Sequence, residues 1–176
     1  MTFQELLLPG AFLITFEKHV DERGYFARTF CKNEFEKRGL CSDFKQDSLS
    51  FNAKEGTVRG MHFQRPVPEV KIVQCLKGKI FDVIVDIRKE SATYGKWLSV
   101  ILSGEELQAL YIPAGFAHGF QTLEDNTLLQ YKISEYYVAG TAQGIRWNDP
   151  LLNVTWPRAV SCISSRDVSL PCFADL

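Results

Sequence analysis

Three histidines are all the imidazole this chain has, so each can be weighed separately as the base or ligand of a site. His62 lies in GTVRGMHFQ, an apolar stretch that also carries Arg59 and the glycines Gly56 and Gly60. Cationic groups in a core-like strand are costly unless paired or used, because burial strips their hydration. His62 is therefore the leading candidate for proton transfer. His19, in FEKHVDERG, reads as a solvated surface histidine. His118, in PAGFAHGF, reads as part of a bulged turn, where it either lines a site or is satisfied by backbone.

Removing a proton beside a carbonyl needs a base, a cation or donor to hold the enolate oxygen, and an acid to return the proton. His62 can be the base, given a carboxylate at Nδ1 to fix its tautomer and stabilise the imidazolium. Lys71 shares strand parity with Val73 and Cys75, so it is a lone charge on an apolar face that either holds an oxyanion or snorkels to the surface. Tyr131 and Tyr137, in YKISEYY, share parity and are either acids at the site or packing aromatics. A metal centre lacks its spacing: Phe63 and Gln64, not a second histidine, follow His62, and His118 has no glutamate in ligand register. Gly-x-Ser-x-Gly elbows, P-loops and dinucleotide-binding glycine turns are also missing. Cofactor-free acid/base chemistry on carbon remains.

Strands must position these groups. FDVIVDIR (81–88) alternates Phe81, Val83, Val85 and Ile87 against Asp82, Ile84, Asp86 and Arg88, the period of a half-buried strand. VKIVQCL (70–76) is a second β-branched run, and Lys77-Gly78-Lys79 between them predicts a hairpin with Gly78 at positive φ. Further strands are predicted over 12–17, 24–30, 57–64, 97–102, 108–112, 117–122 and 127–137, separated by turn residues. The fold class is all-β: a cupin or jelly-roll barrel with one or two short peripheral helices. One helix is predicted over Lys32 to Arg38, opened by Asn33 and Glu36 in capping-box spacing and closed by Gly39. Arg59 and His62 have opposite strand parity, so both can face one pocket only through a bulge at Gly60 or a contribution from a partner subunit.

Composition sets the frame. The 176 residues, 45% hydrophobic and 23% charged, suit one domain over 1–176, with no repeat or linker and a tail from Pro157 to Leu176 expected to pack across the barrel. A net charge of −1 provides no global field for nucleic acid or an acidic membrane, so any anion must be held by a local cluster. No apolar run approaches the ~20 residues of a membrane span, and MTFQELLLPGAF lacks a basic leader. Five cysteines without a CxxC read as reduced thiols in a cytoplasm.

DERGYF (21–26), GTVRGMHFQ (56–64), VKIVQCLKGKIFDVIVDIR (70–88), TYGKW (93–97), YIPAGFAHGF (111–120), YKISEYY (131–137), GIRWNDPLL (144–152) and SSRD (164–167) occur in the order seen in the dTDP-4-dehydrorhamnose 3,5-epimerase family, which the chain resembles over nearly its whole length. The resemblance implies a metal-free cupin barrel without cofactor, dimeric through exchanged or shared strands, that inverts C3 and C5 of a 4-keto-6-deoxyhexose linked to dTDP. It makes His62 the base paired with Asp167, Lys71 the holder of the C4 enolate oxygen, and Tyr131 the opposite-face acid. Tyr137 would line the site beside it. It further implies that Arg23, Phe26, Gln46, Ser48, Arg59 and His118 contact the substrate, the arginines meeting the diphosphate by fork geometry.

Two departures accompany the likeness. Ser48 stands where the family commonly has an asparagine, and FQRPVPEV brings Lys71 one residue closer to His62 than is usual. The alternatives to the two-centre epimerase are a related enzyme inverting C3 or C5 alone, and a non-catalytic sugar-nucleotide-binding cupin.

Overall fold

Alternation along the strands divides the apolar residues of this chain among three cores, as seen in the computed structural model, which describes residues 1–176. In chain order the elements are β1 (Thr2–Glu5), β2 (Phe12–Thr15), β3 (Lys18–Asp21), β4 (Gly24–Ala27), α1 (Lys32–Glu36), β5 (Gln46–Asn52), β6 (Val58–Gln64) and β7 (Lys71–Lys77). There follow β8 (Lys79–Asp86), β9 (Trp97–Ser103), β10 (Gln108–Ile112), β11 (Phe116–Thr122), β12 (Thr127–Ile133), β13 (Ala142–Gly144), α2 (Ser165–Val168) and a final 3₁₀ turn at Phe173–Asp175. One sheet has the order β1-β2-β10-β7-β12-β5, the facing sheet β13-β6-β11-β8-β9, and β3 with β4 forms a separate two-stranded arm. The strands of each sheet pair antiparallel, giving the jelly-roll architecture that the turn spacing predicts.

Between the sheets, Val73, Cys75, Leu110, Ile112 and Leu129 meet Ile80, Ile84, Leu102, Phe116 and Phe120. Ile72 and Tyr111, of opposite parity, turn outward to a second core with Phe35 of α1. Met61, Val83, Val85 and Ala117 back the other sheet, where Leu152, Trp156 and Phe173 of the C-terminal segment cover them. At ~25 cal/mol per Å² of apolar area removed from water, these three layers are the main favourable term in folding. No helix is long and apolar enough to cross a membrane.

Several local expectations change. Gly78 does take positive φ, 79°, but the turn is a corner that carries the chain from one sheet to the other, not a hairpin within one. Val73 and Cys75 thereby face Ile80 and Ile84 across the interior. FDVIVDIR is buried on both faces, because the C-terminal segment covers the side that alternation assigns to solvent or core alike, and Asp82 and Asp86 are fully enclosed. Asp86 is satisfied by Arg88, Ser91 and Thr93, and their bonds outweigh the burial that opposes its charge, keeping its carboxyl far below the usual range. The helix ends at Glu36 without the Asn33 and Glu36 capping box; Cys31 precedes it and offers no side-chain cap. The short strands β1, β3, β5 and β13 escape the sequence pattern because they are polar or only three to seven residues long.

Candidate active site

His62, Lys71, Tyr131 and His118 converge on one cavity of about 320 Å³ between the sheets, with Gln46, Ser48, Arg59, Glu69, Tyr137 and Arg166 also on its wall. The parity of each strand explains the convergence. Lys71 points with Val73 and Cys75, Tyr131 with Leu129, and His118 with Phe116 and Phe120, all toward the interior.

Arg59 joins His62 through a bulge in β6. His118 pairs with His62 and Phe120 pairs with Arg59, so Gly60 and Met61 together stand opposite Gly119. Gly60 has φ of 117°, and a Cβ there would lie 2.5 Å from the Cα of Gly119 and 2.7 Å from the carbonyl oxygen of His118. Only glycine tolerates that conformation and that approach.

The carboxylate for His62 is Asp167, at the start of α2. Ser164 Oγ accepts the Asp167 N–H at 3.1 Å, and a bridge between Thr57 and Cys162 pins the segment beside β6. Asp167 Oδ1 lies 2.7 Å from His62 Nε2, and its Oδ2 accepts the Gly60 N–H at 3.2 Å. The partner nitrogen is thus Nε2 and not the expected Nδ1, because the carboxylate arrives on the C-terminal segment and meets the far edge of the ring. Nδ1 is left without a protein partner. Burial pushes the Asp167 carboxyl up, but the bond and charge of His62, the Gly60 N–H and Arg166 outweigh it and hold it below the ordinary range.

Lys71 is not a surface lysine. It is 9% exposed and forms an ion pair with Glu69 at 2.8 Å. An ammonium has three donors, so one carboxylate leaves others for the cavity. Burial, helped by the Asp82 charge and opposed by Arg59, pushes the Tyr131 phenol far above its usual value, so it is a proton donor at neutral pH. His118 lies inside β11 rather than in a bulged turn, 4% exposed, with Nε2 2.6 Å from Oδ1 of Asp82. Burial also pushes the Cys75 thiol up to about 11, which leaves it an inert core group.

Tyr137 reaches the cavity from the loop after β12, not from the strand, and its N–H donates to Gln46 Oε1 at 2.5 Å. Arg23 and Phe26 do not reach it. Both sit on the exposed β3–β4 arm, with Arg23 bound to Asp21 at 2.6 Å. Glu69, Asp82 and Arg166 escape sequence reasoning. Glu69 was hidden in a Pro-rich loop, Asp82 by its apparent exposure, and Arg166 by its place in a polar tail. Arg59 and Arg166 also line an adjoining hollow that includes His62 and Asp167, so cationic donors lie beside the dyad. No three His, Cys, Asp or Glu side chains are grouped as metal ligands would be.

A jelly-roll barrel with an imidazole–carboxylate pair, an ammonium and a phenol around one interior cavity is a cupin equipped for acid/base chemistry. A family model described as dTDP-4-dehydrorhamnose 3,5-epimerase matches residues 5–175, and the chain belongs to that family. The dTDP-4-dehydrorhamnose 3,5-epimerase of Sinorhizobium fredii is 42% identical, covering 100% of this chain and 91% of its own. The crystal structure of the Bacillus anthracis enzyme of that name, with TDP and PPi bound, has a TM-score of 0.95 at 39% identity, over 98% of this chain and 99% of the other. That of the dTDP-6-deoxy-D-glucose-3,5-epimerase of Legionella pneumophila, in complex with dTDP-4-keto-L-rhamnose, has a TM-score of 0.92 at 35% identity, over 97% and 92%.

Proposed function

We propose that this enzyme inverts C3 and C5 of a dTDP-linked 4-keto-6-deoxyhexose, turning dTDP-4-dehydro-6-deoxyglucose into dTDP-4-dehydrorhamnose through its own side chains. The observation that carries the reading is the placement of the His62–Asp167 pair and the Tyr131 phenol on one cavity that also holds Lys71. His62 Nδ1 takes the carbon proton while Asp167 balances the imidazolium. Lys71 holds the C4 enolate oxygen, a stabilisation worth ~3–4 kcal/mol for one preorganised donor. Tyr131 returns a proton to the opposite face, and its suppressed ionisation keeps the phenol protonated until that step. Arg59 and Arg166 suit the diphosphate, and Gln46, Ser48 and Tyr137 the nucleoside.

The position of Arg23 and Phe26 supports a homodimer. Val20, Tyr25 and Phe26 leave the arm apolar and uncovered, so we read it as reaching the cavity of a second copy. Five free thiols favour a reducing cytoplasm.

The test is incubation with dTDP-4-keto-6-deoxyglucose in D₂O, followed by proton NMR. Deuterium at C3 and C5 with inversion at both is expected. Label at one carbon identifies a single-centre epimerase, and label at neither a binding protein or an enzyme for a different substrate.

A further inference from the structure

Inverting one carbon leaves the enzyme altered: His62 has gained a proton and Tyr131 has lost one. A second inversion on the same bound sugar needs both restored. Among the other titratable groups on the cavity wall, Arg59 and Arg166 do not release protons at neutral pH, Glu69 and Lys71 are paired with each other, and the Tyr137 phenol is 63% exposed on the loop after β12. His118 remains.

Its position is specific. His118 is the direct cross-strand partner of His62, and such pairs hold their Cβ atoms about 5 Å apart. Its ring also stands edge-on to Tyr131, centroids 5.9 Å apart at 69°. His118 thus neighbours both the base and the acid. Its Nε2 is fixed by Asp82, while Nδ1 has no protein partner. The only occluded side-chain nitrogen or oxygen lacking a partner is Asp82 Oδ2, so His118 Nδ1 opens into the cavity. A fully buried carboxylate with one unsatisfied oxygen is an expensive way to hold a structural ring, for which a backbone carbonyl would serve.

We infer that His118 is the proton relay that resets the site between the two inversions, with Asp82 as its positioning residue; the inference rests on the base and acid assigned above. The N–H bond on His62 Nδ1 breaks as one forms on His118 Nδ1. That bond breaks in turn as the O–H of Tyr131 re-forms, through contact or one cavity water. No electrons change hands. Asp82 accepts the Nε2–H throughout and balances the transient charge on the ring, so one nitrogen both receives and delivers the proton.

The test is single-turnover conversion of dTDP-4-keto-6-deoxyglucose by His118→Gln and Asp82→Asn, with each inversion timed by NMR. In His118→Gln the second inversion slows relative to the first by about 10²-fold or more, the low end of what a positioned proton carrier contributes. Singly inverted sugar accumulates, and added imidazole buffer restores the second inversion in proportion to its concentration. Asp82→Asn, which keeps the ring and an acceptor but removes the charge, shows the same split in smaller measure. Should His118→Gln not fold, Asp82→Asn decides by the same readouts. Equal slowing of both inversions, or a split that buffer does not repair, overturns the relay. Exchange surviving in His62→Ala would instead overturn the base assignment beneath it.

Discussion

Arg59 and His62 stand three residues apart on one strand and still face the same cavity. The extra residue at Gly60–Met61 restores the parity that plain alternation denies them, and it depends on the close approach of Gly60 to Gly119. Gly60→Ala must relieve both a positive φ and a backbone clash, so a loss of about 2–5 kcal/mol is expected. Urea unfolding measures it. A midpoint equal to that of the wild type would show that the bulge does not need glycine.

The dyad itself gives a second expectation. His62→Ala should end deuterium exchange at both carbons while dTDP still binds in a calorimeter, and Asp167→Asn should slow exchange by about 10²-fold or more. Because Asp167 titrates lower in the folded state than in the unfolded one, its contribution to stability is complete above about pH 4 and is lost as pH falls through the depressed value. The difference in unfolding free energy between wild type and Asp167→Asn should therefore shrink with acid below that point. A difference constant down to pH 2 would contradict the coupling.

Tyr131 should be silent in alkaline titration. Burial and the Asp82 charge suppress its ionisation more than Arg59 promotes it, so the phenolate absorbance gained between about pH 9 and 11 should match in wild type and Tyr131→Phe. A deficit of one tyrosine in the variant would mean that the phenol ionises with the others. In catalysis, Tyr131→Phe should retain proton loss better than inversion; equal loss of both would count against an opposite-face acid.

Alternation is a local property, and what it governs was legible. The interior orientation of Lys71, the need for a bulge beside His62 and the all-β class all follow from neighbouring residues. Tertiary placement was not. Asp82 alternates like a solvent-facing residue, and only its central position between covered faces encloses it beneath His118. The nitrogen that Asp167 takes depends on where Thr57 and Cys162 pin a distant segment. Tyr137 shares parity with Tyr131, yet β12 ends at Ile133, and the loop, not the strand, delivers it.

The arm offers a sharper test of assembly than any sizing measurement. Its Arg23 side chain is 84% exposed and Phe26 68%, and neither lines the cavity of its own chain. If they complete a partner's site, an Arg23→Ala/Phe26→Ala double variant keeps a sound barrel, and His62→Ala keeps a sound arm. Each should be nearly inactive alone at substrate far below KM. Refolded together in equal amounts, half of the dimers are hybrids with one whole site in two, so about a quarter of the wild-type sites should return by random pairing under two-fold symmetry. Recovery must appear only after subunits exchange, which mixing of the folded variants controls. Hybrids that form without regaining activity, or an arm variant as active as the wild type, would sever the arm from the site.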